Sequence, residues 1–266
     1  MNSIELFIIL ALLFQVCHSN QFNGTVCETY RAKFQRLKES APSTTELFEG
    51  YNIVMSTNER DLMANMLRNA RIYYEFGCGG STLLSARVAR EPNSTLKLIN
   101  SADSSLPWIE KLKNDSVLSQ LTNSDQLALH HVDIGEIGNW GHPSSRKNMT
   151  SWKKYSETIW KYGRTADLIL VDGRFRIACA LQTLYASNFP LDVSFEQANQ
   201  TISVHPRDIT IMIHDFTKRD HYHKVLEYLD VIECIDTLVV MKPKNYINLQ
   251  QLRNDILRSH DDPYRN

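Results

Sequence analysis

The chain has 266 residues, 42% hydrophobic and 22% charged, which is enough for one large domain or two small ones around a sizeable core. With 29 basic residues against 30 acidic ones, the formal charge is −1. No long basic run stands out, which argues against nucleic acid as the main partner.

Residues 1–19 read as a signal peptide. The apolar run 6–16 is too short to span a bilayer, and Cys17 and Ser19 supply small residues at the −3 and −1 positions. A buried N-terminal helix is the competing reading, since the run is preceded by Glu5 and no base. Five N-x-[ST] sequons follow, at Asn23, Asn93, Asn114, Asn148 and Asn199, and fit a glycoprotein of the secretory-pathway lumen or a secreted one. No later segment is long and apolar enough to span a membrane, so none remains after signal cleavage. Of the five cysteines, Cys27, Cys78, Cys179 and Cys234 would remain; three full pairings are open, and the spacing is not that of a zinc site.

Residues 20–70 read as an N-terminal helical segment. Tyr30, Phe34 and Leu37 have helical spacing up to Pro42, and Ser56-x-x-Glu59 is a capping-box pattern opening a second helix. Residues 72–76 form a short strand of β-branched and aromatic residues. Gly77, Gly79 and Gly80 then make a tight turn, and Ser81 or Thr82 can cap a helix whose apolar face is Leu83, Leu84, Ala86 and Val88. A strand, a glycine turn and a helix N-terminus together present free backbone N–H groups to a ligand. The dinucleotide fingerprint G-x-G-x-x-G fails at Thr82, which disfavours a nicotinamide-dependent oxidoreductase, and there is no phosphate loop. Instead Glu75 stands two residues before the first glycine. This E-x-G-x-G-G pattern resembles the first motif of the class I S-adenosylmethionine-dependent methyltransferases, with Ser81 where a third glycine is common. The resemblance implies a Rossmann-like α/β fold over residues 71–247. That fold is a doubly wound, mostly parallel sheet with an antiparallel final strand and helices on both faces. It also implies a cofactor site at Glu75, Gly77, Gly79, Gly80 and Ser81. A carboxylate suits a ligand bearing a sulfonium and an ammonium group and no phosphate.

Residues 96–99 read as the second strand. Asp103 follows it and, by the resemblance, would grip the ribose hydroxyls; the alternative is a helix-capping acid. Residues 126–132 read as the third strand, and Asp133 after it is a carry-over candidate for the adenine amino group. His130 and His131 are adjacent on that strand and point to opposite faces, so they do not share a metal. Residues 134–165 interrupt the alternation with a loop carrying Gly135, Gly138, Gly141 and Pro143, then a helical stripe of Trp152, Tyr155 and Ile159. Such an insertion overhangs the carboxyl ends of the strands, where Trp140, His142 and Trp152 would line an acceptor pocket or else serve as core aromatics.

Residues 166–171, ADLILV, are a strand buried on both faces, ending at Asp172-Gly173-Arg174-Phe175-Arg176. Residues 208–213 are a fifth strand ending at His214-Asp215, followed by a helix with His221 and His223 on a solvated face. Residues 231–235 and 237–241 form an antiparallel closing pair. Residues 248–266 read as a peripheral polar helix.

Asp172, His214 and Asp215 are the candidate catalytic groups. Two readings are open: Asp172 and Asp215 bind a divalent cation such as Mg, as in the metal-dependent O-methyltransferases that the pairing resembles, or His214 or Asp172 acts as a direct base. The function implied is S-adenosylmethionine-dependent methyl transfer, to oxygen, on a glycan or a small secreted metabolite. The alternative is a non-catalytic secreted protein that retains the fold. The oligomeric state is open.

Overall fold

The computed structural model describes residues 32–33, 46–48, 51–188, 203–204 and 207–260. The expected signal peptide, Cys27, the helix around Phe34, and the sequons at Asn23 and Asn199 lie outside these residues. Within the segment expected to be helical, β1 (Glu46–Phe48) and β2 (Tyr51–Ile53) instead pair as an antiparallel hairpin, Phe48 opposite Tyr51. Helix α1 (Thr57–Asn69) starts at the expected capping box: the Ser56 hydroxyl accepts from Glu59 N–H, and Glu59 accepts from Ser56 N–H at 2.8 Å.

A seven-stranded sheet follows, built from β3 (Ile72–Phe76), β4 (Leu98–Asp103), β5 (Leu127–His131), β6 (Leu168–Val171), β8 (Thr210–Ile213), β9 (Leu229–Ile235) and β10 (Leu238–Pro243). Its order is β5-β4-β3-β6-β8-β10-β9. The first five are parallel, and β10 runs antiparallel to both β8 and β9. The chain lays down β3, β4 and β5 to one side, then returns across β3 to place β6 on the other. The direction therefore reverses beside β3, which opens a crevice at the carboxyl ends of β3, β4 and β6.

Each face of the sheet has its own core. One is filled by Leu62, Met63 and Leu67 of α1, Leu83 and Ala86 of α2 (Gly80–Ala89), Ile109 and Leu112 of α3 (Leu106–Lys113), and Leu118 and Leu121 of α4 (Ser116–Asn123). The other is filled by Trp152 and Tyr155 of α5 (Met149–Thr158), Leu181 and Leu184 of α6 (Arg176–Asn188), and Leu252 and Ile256 of α7 (Leu249–Arg258). Helix α7 is thus not peripheral, since its apolar edge seals the second face. The helix expected after Asp215 is two 3-10 segments, Phe216–Lys218 and Asp220–Glu227, and Leu229 already belongs to β9. A short β7 (Ser203–Val204) pairs with β11 (Ile247–Asn248).

The turn after β3 fits only glycine. Gly77 has φ +92°, and a Cβ there would lie 2.7 Å from the Cα of Gly173 in the turn after β6. The two strand-tip turns touch backbone to backbone, and that contact sets the floor of the crevice. Gly77→Ala combines positive-φ strain with a backbone clash, and should lower unfolding free energy by at least about 2 kcal/mol in urea titrations. An unchanged midpoint would show that the turns are not in contact.

Candidate active site

The crevice is a cavity of about 340 Å³, within the range of small-molecule sites. Its walls are the glycine turn from Gly77 to Ser81, Asp103, Ser104 and Ser105 at the tip of β4, and Asp172, Gly173 and Arg174 at the tip of β6. Trp108, Tyr155, Ile53 and Val54 complete it, with Gly138, Trp140 and Gly141 from the insertion above. Of the residues expected to hold the cofactor, Gly77, Gly79, Gly80, Ser81 and Asp103 are on these walls.

Glu75 is not among them. Its carboxyl is fully buried beneath the turn and accepts from the hydroxyls of Tyr73, Thr82 and Ser101. Burial pushes its pKa up to about 7, with the hydroxyls holding it from rising further. The Thr82 hydroxyl also accepts from Gly79 N–H at 2.8 Å, so it ties the turn to Glu75. Thr82 stands where a dinucleotide fingerprint has its third glycine, and this double bond is what a glycine there would lose. Asp133 is exposed and accepts from Gly135 N–H at 2.9 Å, which makes it a turn former outside the walls.

Asp103 accepts from Cys78 N–H at 3.2 Å and from Ser105 N–H at 2.8 Å, one on each oxygen. Burial raises its pKa, against these two bonds. Trp108 lies over the turn, its indole N–H donating to Cys78 O at 2.6 Å. Burial, with Asp103 nearby, pushes the Cys78 thiol well up, which makes it a poor nucleophile. Cys78, Cys179 and Cys234 carry no disulfide.

The strand-tip acids form one chain of charges. In the β6–β8 register Val171 lies opposite Ile213, which places Asp172 and His214 side by side. His214 Nδ1 donates to Asp172 Oδ1 at 3.0 Å, and its Nε2 lies 3.5 Å from Glu59 Oε2. Arg176 bridges Asp172 (3.0 Å) and Asp215 (3.5 Å) and also donates to the carbonyls of Asp172, Gly173 and His214. Glu59 accepts in addition from the N–H and hydroxyl of Thr237 in the β9–β10 turn, at 2.8 and 2.6 Å. Burial alone would lower the pKa of His214, but Asp172 and Glu59 raise it to about 10. Burial would raise both acids, but His214 holds Glu59 at about 2, and His214 with Arg176 holds Asp172 at about 2.

Three expectations change here. His214 is buried with both ring nitrogens facing carboxylates, Asp172 and Glu59, an arrangement that favours its charged form over a free base. Asp172 lines the cavity, but Asp215 does not. The pair does not fit a divalent cation: a guanidinium already lies between the two carboxylates, and among the described residues no group of three or more His, Cys, Asp or Glu side chains is arranged to hold a metal ion.

The paired histidines also separate. His130 stacks on Tyr162 with ring centroids 3.6 Å apart, whereas His131 is exposed. His223 is buried against Phe216, not on a solvated face. Trp152 is core, packed on Phe175, and of the three insertion tryptophans, Trp140, Trp152 and Trp160, only Trp140 lines the cavity.

No protein-family profile matches the chain, and no curated protein sequence does. A solved structure of a methyltransferase-like protein from Silicibacter pomeroyi is 25% identical, with a TM-score of 0.59 over 79% of this chain and 97% of that one. The chain has the Rossmann-like fold of class I methyltransferases. Looser likenesses are a methyltransferase from Geobacter sulfurreducens (12% identity, TM-score 0.39, 82% and 90% covered) and a cofactor-bound protein from MTB (11%, 0.42, 87% and 95%).

The charge chain predicts a pH profile. The His214 contribution is complete below the unfolded pKa of about 6.5 and is lost as pH rises through about 10. The Glu59 and Asp172 contributions are complete above their unfolded pKa values near 4 and are lost as pH falls through about 2. Denaturant midpoints should therefore fall between pH 7 and 10 in the wild type and be flatter in His214→Gln. Parallel profiles would mean that His214 is neutral.

Proposed function

We propose that this chain is an S-adenosylmethionine-dependent methyltransferase that methylates a hydroxyl of a small-molecule or glycan acceptor in the secretory pathway. The observation that carries the reading is Asp103. Its oxygens are each steadied by one backbone N–H, which leaves lone pairs for a ribose diol on the cavity wall beside the glycine turn.

The residues present fit such a ligand. The glycine turn brings backbone onto the cavity wall, and the Trp108 indole offers an apolar face. Asp172 brings a carboxylate, steadied by His214 and Arg176, to the cavity wall beside that turn. When bound, S-adenosylmethionine supplies an electrophilic methyl group. Transfer is an in-line displacement, so the chain's main task is alignment. Asp172 stays ionised and is fixed by His214 and Arg176, so it accepts the acceptor's O–H and aims the oxygen. A carboxylate held near 2 is a weak base, so it takes the proton only as the new bond forms.

In titration calorimetry, S-adenosylhomocysteine should bind the wild type, and Asp103→Ala should weaken it by about tenfold or more. Asp172→Asn should abolish transfer while leaving cofactor affinity nearly intact, and chelators should not change the rate. No heat and no thermal shift with either nucleoside would remove the enzyme reading.

The lumenal placement is supported by Asn93, Asn114 and Asn148, which are all exposed. Protein from secretory cells should drop in apparent mass on glycoamidase treatment, with one step fewer in Asn93→Gln. Unaltered mobility in both would place the chain outside the secretory pathway.

A further inference from the structure

The proposed cofactor contacts leave a charged wall residue of the cavity, Arg174, without a role. Arg174 follows Gly173 at the tip of β6, is 9% exposed, and lines the cavity. Its guanidinium donates to His142 Nε2 at 2.5 Å, and among the described residues no carboxylate lies within 4 Å of it. Arg176, two residues on, differs: it has two carboxylates and three carbonyls. His142 does not balance the charge of Arg174. Burial, together with Arg174, Arg219 and Arg176, lowers its pKa, so it offers an acceptor nitrogen and no negative charge. Asp103 and Asp172 act on Arg174 only from beyond contact distance, so this deeply buried guanidinium touches no carboxylate, and a ligand anion would complete it.

The second observation stands above the first. Trp140, two residues before His142, is 76% exposed on the cavity wall with φ 60°. A bulky side chain in the left-handed region is rare outside functional sites. The backbone is held there by Gly141 N–H on Gly138 O (3.2 Å) and Gly138 N–H on His142 O (2.7 Å). The loop therefore presents a bare indole at the cavity mouth and a hydrogen-bonded arginine behind it.

We infer that the acceptor end of the cavity takes a molecule that carries a carboxylate beside a flat ring face, the carboxylate on Arg174 and the ring against Trp140. Calling this molecule the acceptor rests on the methyltransferase reading; the anion seat itself does not. An aryl carboxylic acid and a uronic-acid sugar share this chemistry, since aromatic faces suit both.

The test is titration calorimetry with two matched pairs, 4-hydroxybenzoate against 4-hydroxybenzamide and glucuronate against glucose, each with and without saturating S-adenosylhomocysteine. In at least one pair the acid should bind the wild type about tenfold or more tightly than its neutral partner. That advantage should shrink as salt rises, and the pair that shows it identifies the source. Arg174→Gln should erase the preference without weakening S-adenosylhomocysteine, Arg174→Lys should restore part of it, and Trp140→Ala should weaken acid and neutral partner alike. Equal affinities within both pairs would overturn the inference. So would an Arg174→Gln variant that loses S-adenosylhomocysteine and not the acids, because the seat would then belong to the cofactor's own carboxylate. The wild-type comparison decides even if the arginine variants fail to fold. Acid preference in a wild type that binds no S-adenosylhomocysteine supports the seat and removes only the methyltransferase reading; cofactor binding without acid preference does the reverse.

Discussion

An ionised carboxylate at the tip of a central strand needs partners to hold its charge and aim its oxygens. Asp172 takes His214 from the neighbouring strand and Arg176 from the first turn of the following helix. Each partner is itself held: His214 by Glu59 on α1, and Arg176 by Asp215 and three backbone carbonyls. Such an assembly is poor value as simple stabilisation, because taking five charges out of water offsets much of their attraction. Removing any one member would strand the others, so the turns after β6 and β8 and the start of α1 are fixed together. The position of the cavity's acid wall follows from that linkage.

The opposite wall is built over a single buried acid. Glu75 lies under the glycine turn with a pKa near 7, wrapped by three hydroxyls, and acts on the cavity only through the Thr82 hydroxyl and the Gly79 N–H. One acid therefore shapes the turn from below, while Asp103 meets the ligand space from beside it. Both are acids at the ends of adjacent strands, and burial decides which does what.

The strands were the legible part of the sequence. Continuous apolar runs such as LILV and the glycine turn after Phe76 place β6 and β3 within two residues, and the short Cys234–Asp236 turn forces the antiparallel pair. Asp103 and Asp172 were legible as acids at strand ends. What sequence could not provide was side-chain direction. Glu75 and Asp133 sit at the right places in the chain and point away from the cavity. Glu59 was visible only as half of a capping box; its bond to Thr237 joins residues 178 positions apart, and no local pattern carries that. Arg176 was legible as a charge near the site, but not as the cation between two acids. Helix α7 was misread because Leu249, Leu252 and Ile256 are few among polar neighbours, although their spacing follows one helical face.

The Ser56 hydroxyl donates to Asp236, and Thr237 donates to Glu59, so these bonds close a very long loop of the chain. The start of α1 is thus completed by a hairpin turn that follows it 178 positions later in the chain. Closing so long a loop is slow, and until it closes Glu59 lacks its Thr237 bonds and β8 lacks its antiparallel neighbour. A chain without that turn has an exposed edge on β8 and leaves Glu59 with Ser56 and His214 alone.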